Sequence, residues 1–291
     1  METLLTRQNE EENIDRLCAQ KQLYIEAKKA FMMQIILTVP LTILLTLIKI
    51  VLIFFKIDIS VYVLIYGIGL TLADLLLINL VISDYKKTAA KIQELFDCSV
   101  YDLEWNKICA GKKPTQEEVN KYSRIFKSSG KPISKLKDWY PIELKKYSPL
   151  KVIVLCQKTN LNYDTAIRNR FKKKVLIVAF ITLLVLILLS LIRNISFRDF
   201  ISQVAASFLP VFVLTAKIMI EQNTTLKNSE ELNNNIEGLL EDENNISLKE
   251  IRSIQDKLYN SRKDSALIPE FFYDKIRDEL EQDMHHNAAN Y

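Results

Sequence analysis

Glycine is scarce in this chain, with five in 291 residues. So few argue against a glycine-rich phosphate loop and against an all-β architecture, both of which need glycine at tight turns. Histidine is scarcer still: His285 and His286 stand side by side in a polar stretch. Two ligands on such a stretch do not make a metal site, and no His-bearing catalytic dyad is available. The four cysteines, Cys18, Cys98, Cys109 and Cys156, share no metal or redox spacing and read as packing residues in a reducing compartment. No signal-peptide pattern opens the chain, because Met1–Lys29 is polar and charged. Asp97, Asp102 and Glu104 read as ordinary helix-surface acids. No enzymatic activity, metal or cofactor is expected.

Charge, by contrast, is plentiful but unevenly placed. The bulk figures, 25% charged and 49% hydrophobic, would suit a soluble protein, yet few charges fall in Phe31–Ile82 or Val175–Ile220. A helix needs ~20 apolar residues to cross the ~30 Å hydrocarbon core of a bilayer. Phe31–Phe55, Ile59–Ile82, Val175–Ile192 and Phe200–Ile220 supply four such spans. The short connectors Lys56–Asp58 and Arg193–Asp199 make each pair an antiparallel hairpin. The expected fold is therefore all-α: an integral membrane protein with four transmembrane helices in two hairpins, plus helical cytoplasmic segments. The divisions fall at residues 1–30, 31–82, 83–174, 175–220 and 221–291.

Orientation follows from basic residues in the flanks. The connectors hold Lys56, Arg193 and Arg198. The opposite side holds Lys21, Lys28 and Lys29, then Lys86, Lys87 and Lys91, then Arg168, Arg170 and Lys172–Lys174. Both termini and the middle segment are expected in the cytoplasm. The Asn194-Ile195-Ser196 sequon sits in a tight hairpin turn and carries little weight.

The polar segments also read as helical. Residues 1–30 form an amphipathic pattern through Ile14, Leu17, Cys18, Leu23, Tyr24 and Ile25. Asp84–Asn106 continues the second span. Thr115 with Glu118, and Ser247 with Glu250, are capping boxes. Ser148-Pro149 opens a helix leading into the third span, Ser128–Pro132 is a linker, and a last helix runs from about Pro269 to Gln282.

Charge is segregated among these segments. Residues 83–174 hold 21 Lys/Arg against 10 Asp/Glu, whereas residues 221–291 hold 8 against 16. One reading is a basic face on lipid headgroups, partly neutralised by an acidic tail docked on it. The other is a basic surface that receives an anionic small ligand through charge-assisted hydrogen bonds. The candidates for such a site are Arg168, Arg170, Lys145 and Lys146, with Trp139 or Tyr140 available to stack on a base. Trp139 is equally suited to be a core or interfacial anchor. No recognised nucleic-acid-binding module is present.

Polar groups inside the spans report function or helix packing. Thr38, Thr42, Thr46 and Lys49 share one helical face, as do Gly67, Thr71 and Asp74. In the fourth span Gln203, Ser207, Pro210 and Lys217 do the same. Thr38, Thr42, Thr46, Asp74, Gln203 and Ser207 are candidate pore-lining residues. The competing reading is structural: threonines bonded to their own helix, lysines snorkelling at span ends, and Asp74 neutralising Lys217.

Four stretches carry a resemblance. They are Arg7–Lys29 (RQNEEENIDRLCAQKQLYIEAKK), Asp138–Pro141 (DWYP), Cys156–Phe171 (CQKTNLNYDTAIRNRF) and Ile254–Glu281 (IQDKLYNSRKDSALIPEFFYDKIRDELE). Their order around two hairpins resembles the SMODS-associating four-transmembrane effector family, over about Arg7 to Glu281. The resemblance implies a bacterial anti-phage system in which a nucleotidyltransferase makes a cyclic di- or oligonucleotide. The effector, a homo-oligomer in the inner membrane, would answer by opening pores and arresting or killing the cell. A non-conducting membrane scaffold that recruits a cytoplasmic partner is the alternative. A small transporter is disfavoured because Pro40 and Pro210 do not fall at matched positions of the two halves.

Overall fold

The computed structural model describes residues 4–192, 196–197, 205–241 and 246–289, and among them it is helical with no strand. The helices are α1 (Leu4–Arg7), α2 (Glu11–Thr38), α3 (Pro40–Phe54), α4 (Ser60–Ala73), α5 (Asn79–Tyr101), α6 (Lys107–Ala110), α7 (Gln116–Ser128), α8 (Pro149–Ile192), α9 (Ala206–Glu241), α10 (Leu248–Asp264) and α11 (Glu270–Ala289). A π-helical turn, Asp74–Ile78, joins α4 to α5, and 3-10 turns cover Ile133–Leu136 and Ile142–Lys146. Gln203, most of the connector Arg193–Asp199 and the start of the expected fourth span lie outside the described residues.

Local chemistry sets the boundaries. Pro40 lacks an amide donor and restricts the residue before it, so α2 ends at Thr38 and α3 begins on the proline. The amphipathic stretch and the first span are not separated by a break at residue 30: α2 runs through it. Lysine is a good helix former, and neither glycine nor proline intervenes before Pro40. At α10 the Ser247 hydroxyl accepts from Glu250 N while the Glu250 carboxylate accepts from Ser247 N, a complete capping box. At α7 the Thr115 hydroxyl accepts from Glu118 N.

The chain divides into two compact units: residues 1–28, 83–169 and 224–291 form the first, and residues 29–82 and 170–223 the second. The unit boundaries fall inside α2, α5, α8 and α9. In the first unit, segments far apart in sequence share one apolar core. It holds Leu17 and Cys18 of α2, Phe96 and Val100 of α5, Phe126 of α7, Val154–Cys156 of α8, Ile236 of α9 and Ile251 and Leu258 of α10. A buried polar network runs through this core. Asp97, expected from sequence to be a helix-surface acid, is instead fully buried and accepts from the Tyr140 hydroxyl at 2.6 Å, from Gln255 Nε2 at 2.8 Å and from Arg262. Glu94 accepts from Arg252 and from Gln255 Nε2 at 2.8 Å. Burial, then the neighbouring Asp97, pushes the Glu94 carboxyl up, against the pull of Arg252.

The second unit is built the other way round. Large apolar side chains such as Leu44, Val61, Leu80, Val178, Phe180 and Leu209 are exposed along α3, α4, α5, α8 and α9. Polar side chains are buried instead: Gln34, Thr38, Thr42, Thr46, Lys49, Ser207 and Gln222. Gly67 meets α9 closely, since a Cβ there would lie 3.0 Å from Pro210 Cγ. Two helical stretches among the described residues, Glu11–Lys49 and Ser60–Tyr101, are long and apolar enough to cross a membrane.

Candidate functional site

The first unit contains a cavity of about 420 Å³. All four stretches that carry the family resemblance contribute to its wall: Lys21 and Lys28 from the first, Trp139 from the second, Arg168 from the third, Arg262 and Arg277 from the fourth. Its lining holds seven Lys/Arg against three Asp/Glu. Tyr24, Tyr163 and Tyr273 add aromatic surface, and the Tyr163 and Tyr273 hydroxyls lie 3.2 Å apart. Burial pushes the Tyr24 phenol up to about 12, despite Arg262 nearby.

Two of these stretches interlock at the wall. Tyr140 N donates to Gln8 Oε1 at 2.7 Å, and Gln8 Nε2 donates back to Tyr140 O at 3.2 Å. Asn9 and Asp138 repeat the exchange at 2.8 and 2.9 Å. Asp138 sits at φ 50°, a left-handed conformation rare for a non-glycine residue, and the Asn9 bonds hold it there. The next residue, Trp139, is thereby fixed on the cavity wall. From the other side Arg168 donates to Ala266 O at 2.6 Å and pairs with Asp164, one helical turn earlier.

Three buried polar atoms on lining residues have no hydrogen-bond partner among the described residues: Trp139 Nε1, Arg262 Nη2 and Gln20 Oε1. Gln20 is only 6% exposed. An unpaired buried donor or acceptor costs about 1–3 kcal/mol, so two donors and one acceptor on a single wall suit a polar ligand. Together the wall offers cations for phosphate oxygens, rings for stacking, and hydrogen-bonding groups for a base edge.

The residues expected from sequence divide. Arg168 and Trp139 line the cavity. Tyr140 is fully buried beneath it, holding Asp97, which holds Arg262. Lys145 and Lys146 are exposed and lie outside the lining; Lys146 donates to Ala289 O at 2.7 Å. Arg170 is half-buried, belongs to the second unit and is also outside the lining. Sequence reasoning missed Lys21, Lys28, Arg262 and Arg277. The available signal was the clustering of Lys, Arg and Tyr within the resembling stretches themselves.

In the second unit Thr38, Thr42, Thr46 and Lys49 are all buried, as is Ser207. Thr46 donates to Thr42 O at 2.8 Å, Thr42 Oγ1 has no partner among the described residues, and Lys49 Nζ donates to Ser207 Oγ at 3.4 Å. Asp74 opens the π-helical turn and forms an ion pair with Lys217 at 3.0 Å. Asn79 accepts from the same ammonium, and Gln34 donates to Asp74. The neutralising role weighed for Asp74 against Lys217 is the contact present. Thr182 bonds its own helix at Val178 O and is half-buried. No cluster of potential metal ligands occurs among the described residues.

A family model of the SMODS-associating 4TM effector domain matches residues 2–291. A relative from Bacillus cereus (strain VD146), described as a probable CBASS effector molecule, is 26% identical over 287 residues, covering 93% of this chain and 92% of its own. No solved structure matches. The cavity's four contributing stretches and the apolar helices of the second unit are thus parts of one end-to-end likeness, and the chain belongs to the SMODS-associating 4TM effector family.

Proposed function

We propose that the protein is an anti-phage membrane effector. Its first unit reads a cyclic di- or oligonucleotide made by a partner nucleotidyltransferase, and its second permeabilises the inner membrane in response. The cavity carries the reading. A wall with an excess of Lys and Arg, half-buried rings and unpaired donors has the chemistry a cyclic nucleotide asks for: diester oxygens for the cations, base faces for the rings. Arg168, Trp139, Arg262 and Gln20 contact the ligand, and Tyr140 acts from beneath by positioning Arg262 through Asp97.

The second unit supports the membrane half. Apolar side chains face outward, as a bilayer requires, and hydroxyls, amides and Lys49 are gathered inside, where polar groups in lipid are kept. In this reading it crosses the membrane four times with both termini cytoplasmic. The seam of Thr38, Thr42, Thr46, Lys49 and Ser207 becomes the wet path when the helices of a homo-oligomer part. Helices continuous in sequence through both units carry the signal. Asp74 is left out of the conducting surface because Lys217 neutralises it.

Purified protein in dye-loaded vesicles tests this. A cyclic nucleotide should both bind and release dye. Binding without release favours the non-conducting scaffold, and no binding by any member of a cyclic-nucleotide panel removes the sensing half.

A further inference from the structure

Two cations on the cavity wall share a single carboxylate. Lys21 and Lys28 stand seven residues apart on α2, two turns, and so on one face. Lys21 Nζ lies 3.3 Å from Glu270 Oε1, and Lys28 Nζ bonds Glu270 Oε2. Both ammonium groups also sit over the Tyr273 ring, 4.6 and 4.7 Å from its centroid. Lys21 and Lys28 are 18% and 13% exposed and Glu270 is 26% exposed, so the cluster is well shielded from water. Arg277, whose charge also acts on Lys21, is matched by Glu281.

The arithmetic of charge leaves one positive group over. Burial, then the like charge of Lys28, brings Lys21 down to about 8 even with Glu270 beside it. Glu270, which burial alone would push up, is held at about 2 by the two lysines. A buried cation in excess is costly and favours an anion that can match it. Glu270 meets the pair with one oxygen on each ammonium, and a phosphodiester presents two equivalent oxygens in the same way. The segment leading into α11 is pinned behind this cluster: Ala266 donates to Thr225 Oγ1 at 3.2 Å and accepts from Arg168. The α11 end can therefore yield while its base stays fixed.

Building on the cavity reading, we infer that Lys21 and Lys28 form a phosphate subsite whose place the Glu270 carboxylate takes, and that a nucleotide phosphodiester displaces Glu270 and frees the first turn of α11. Glu270 is thus an internal competitor rather than a ligand contact.

Cyclic di-GMP, cyclic di-AMP and cyclic GMP–AMP serve as probes on the full-length protein in detergent, with glycerophosphoglycerol as a lipid-headgroup arm. Glu270→Gln keeps the shape and removes the competing charge, so it should bind its nucleotide about tenfold more tightly. Hydrogen exchange in 270–281 should rise when the wild type binds nucleotide. Lys28→Met should bind about tenfold more weakly, and it decides the matter if Glu270→Gln fails to fold. Equal or weaker binding by a folded Glu270→Gln, or wild-type affinity in Lys28→Met, overturns the subsite while leaving the cavity reading standing. Tighter binding of the headgroup alone assigns the subsite to lipid and overturns it for nucleotide. No binding of any probe by the wild type removes the cavity reading and the subsite together.

Discussion

The two units bury opposite things. The first hides Leu17, Phe96, Leu155 and Ile251 and, among the described residues, exposes only Ile108, Ile125, Ile142, Leu248 and Phe271 as large apolar side chains. The second exposes Leu, Ile, Val and Phe along its helices and hides Gln34, Thr42, Lys49 and Gln222. One chain therefore obeys two solvents. In water, apolar burial drives folding and each buried polar group must be paired. In lipid the outer face gains nothing by burial, so packing and polar contacts hold helices together. Equivalent-looking ion pairs in the two units should thus respond differently, which gives the comparison its tests.

The largest effect belongs to the first unit. Asp97 takes three hydrogen-bond donors with no exposed surface, and its loss strands Arg262 in the core. Asp97→Ala should cost about 3–5 kcal/mol, the usual penalty for an unpaired buried charge, read as a drop in chemical or thermal denaturation midpoint. Restoring activity without stability in that variant would mean Arg262 finds another partner.

Asp74→Asn is the counterpart in the second unit. It removes the charge facing Lys217, but both side chains keep 20–25% exposure and Asn79 still accepts from the ammonium. A loss of about 2 kcal/mol is expected, with ion preference in vesicles unchanged. Adding Lys217→Met should recover most of it, because a neutral apolar pair replaces a broken ionic one. An abundant, stable Asp74→Asn protein with altered ion preference would return Asp74 to the conducting surface.

Much of the organisation was legible because solvent writes itself into composition. The apolar runs, the capping residues Thr115 and Ser247, and Pro149 at a helix start all act locally, so a linear reading reaches them; the division of the first span at Pro40 was not read from it. The site resisted for a different reason. Lys21 and Glu270 are 249 positions apart, and the charge of a segment says nothing about where its individual side chains point. The acidic tail supplies Arg262 and Arg277 to the cavity, whereas Lys145 and Lys146 of the basic middle segment stay outside it. Tyr140 looked like a stacking surface, yet its ring packs among Phe96 and Tyr101 in the core. Asp74 had two readings, and choosing between them needed the position of a side chain on another helix.

Packing in the second unit offers a smaller test. Gly67 and Gly69 lie on the same helix, α4. A methyl at Gly67 meets the rigid Pro210 ring, whereas one at Gly69 meets nothing within 4 Å. Gly67→Ala should destabilise by about 1 kcal/mol, and Gly69→Ala should stabilise by up to about 1 kcal/mol through helix propensity alone. Equal effects at the two positions would mean that α4 does not rely on close approach.

The smallest expected signal is a fraction of a proton, and it returns to the first unit's cavity. Lys21 is held down at about 8 by burial and by Lys28, so in the folded protein it is about half protonated at pH 8. A phosphate seated on Lys21 and Lys28 favours the charged ammonium and raises that value. Nucleotide binding at pH 8 should therefore take up about half a proton, falling toward zero at pH 6, where Lys21 is already charged. Glu270, held at about 2, moves toward the ordinary carboxylate range when displaced and stays ionised throughout, so it contributes no proton at pH 8. Tyr24 and Tyr273 are pushed up by burial and remain neutral. Calorimetric titrations in two buffers of different ionisation enthalpy measure the uptake directly. Lys21→Gln should abolish it; uptake that persists in that variant would place the phosphate away from Lys21.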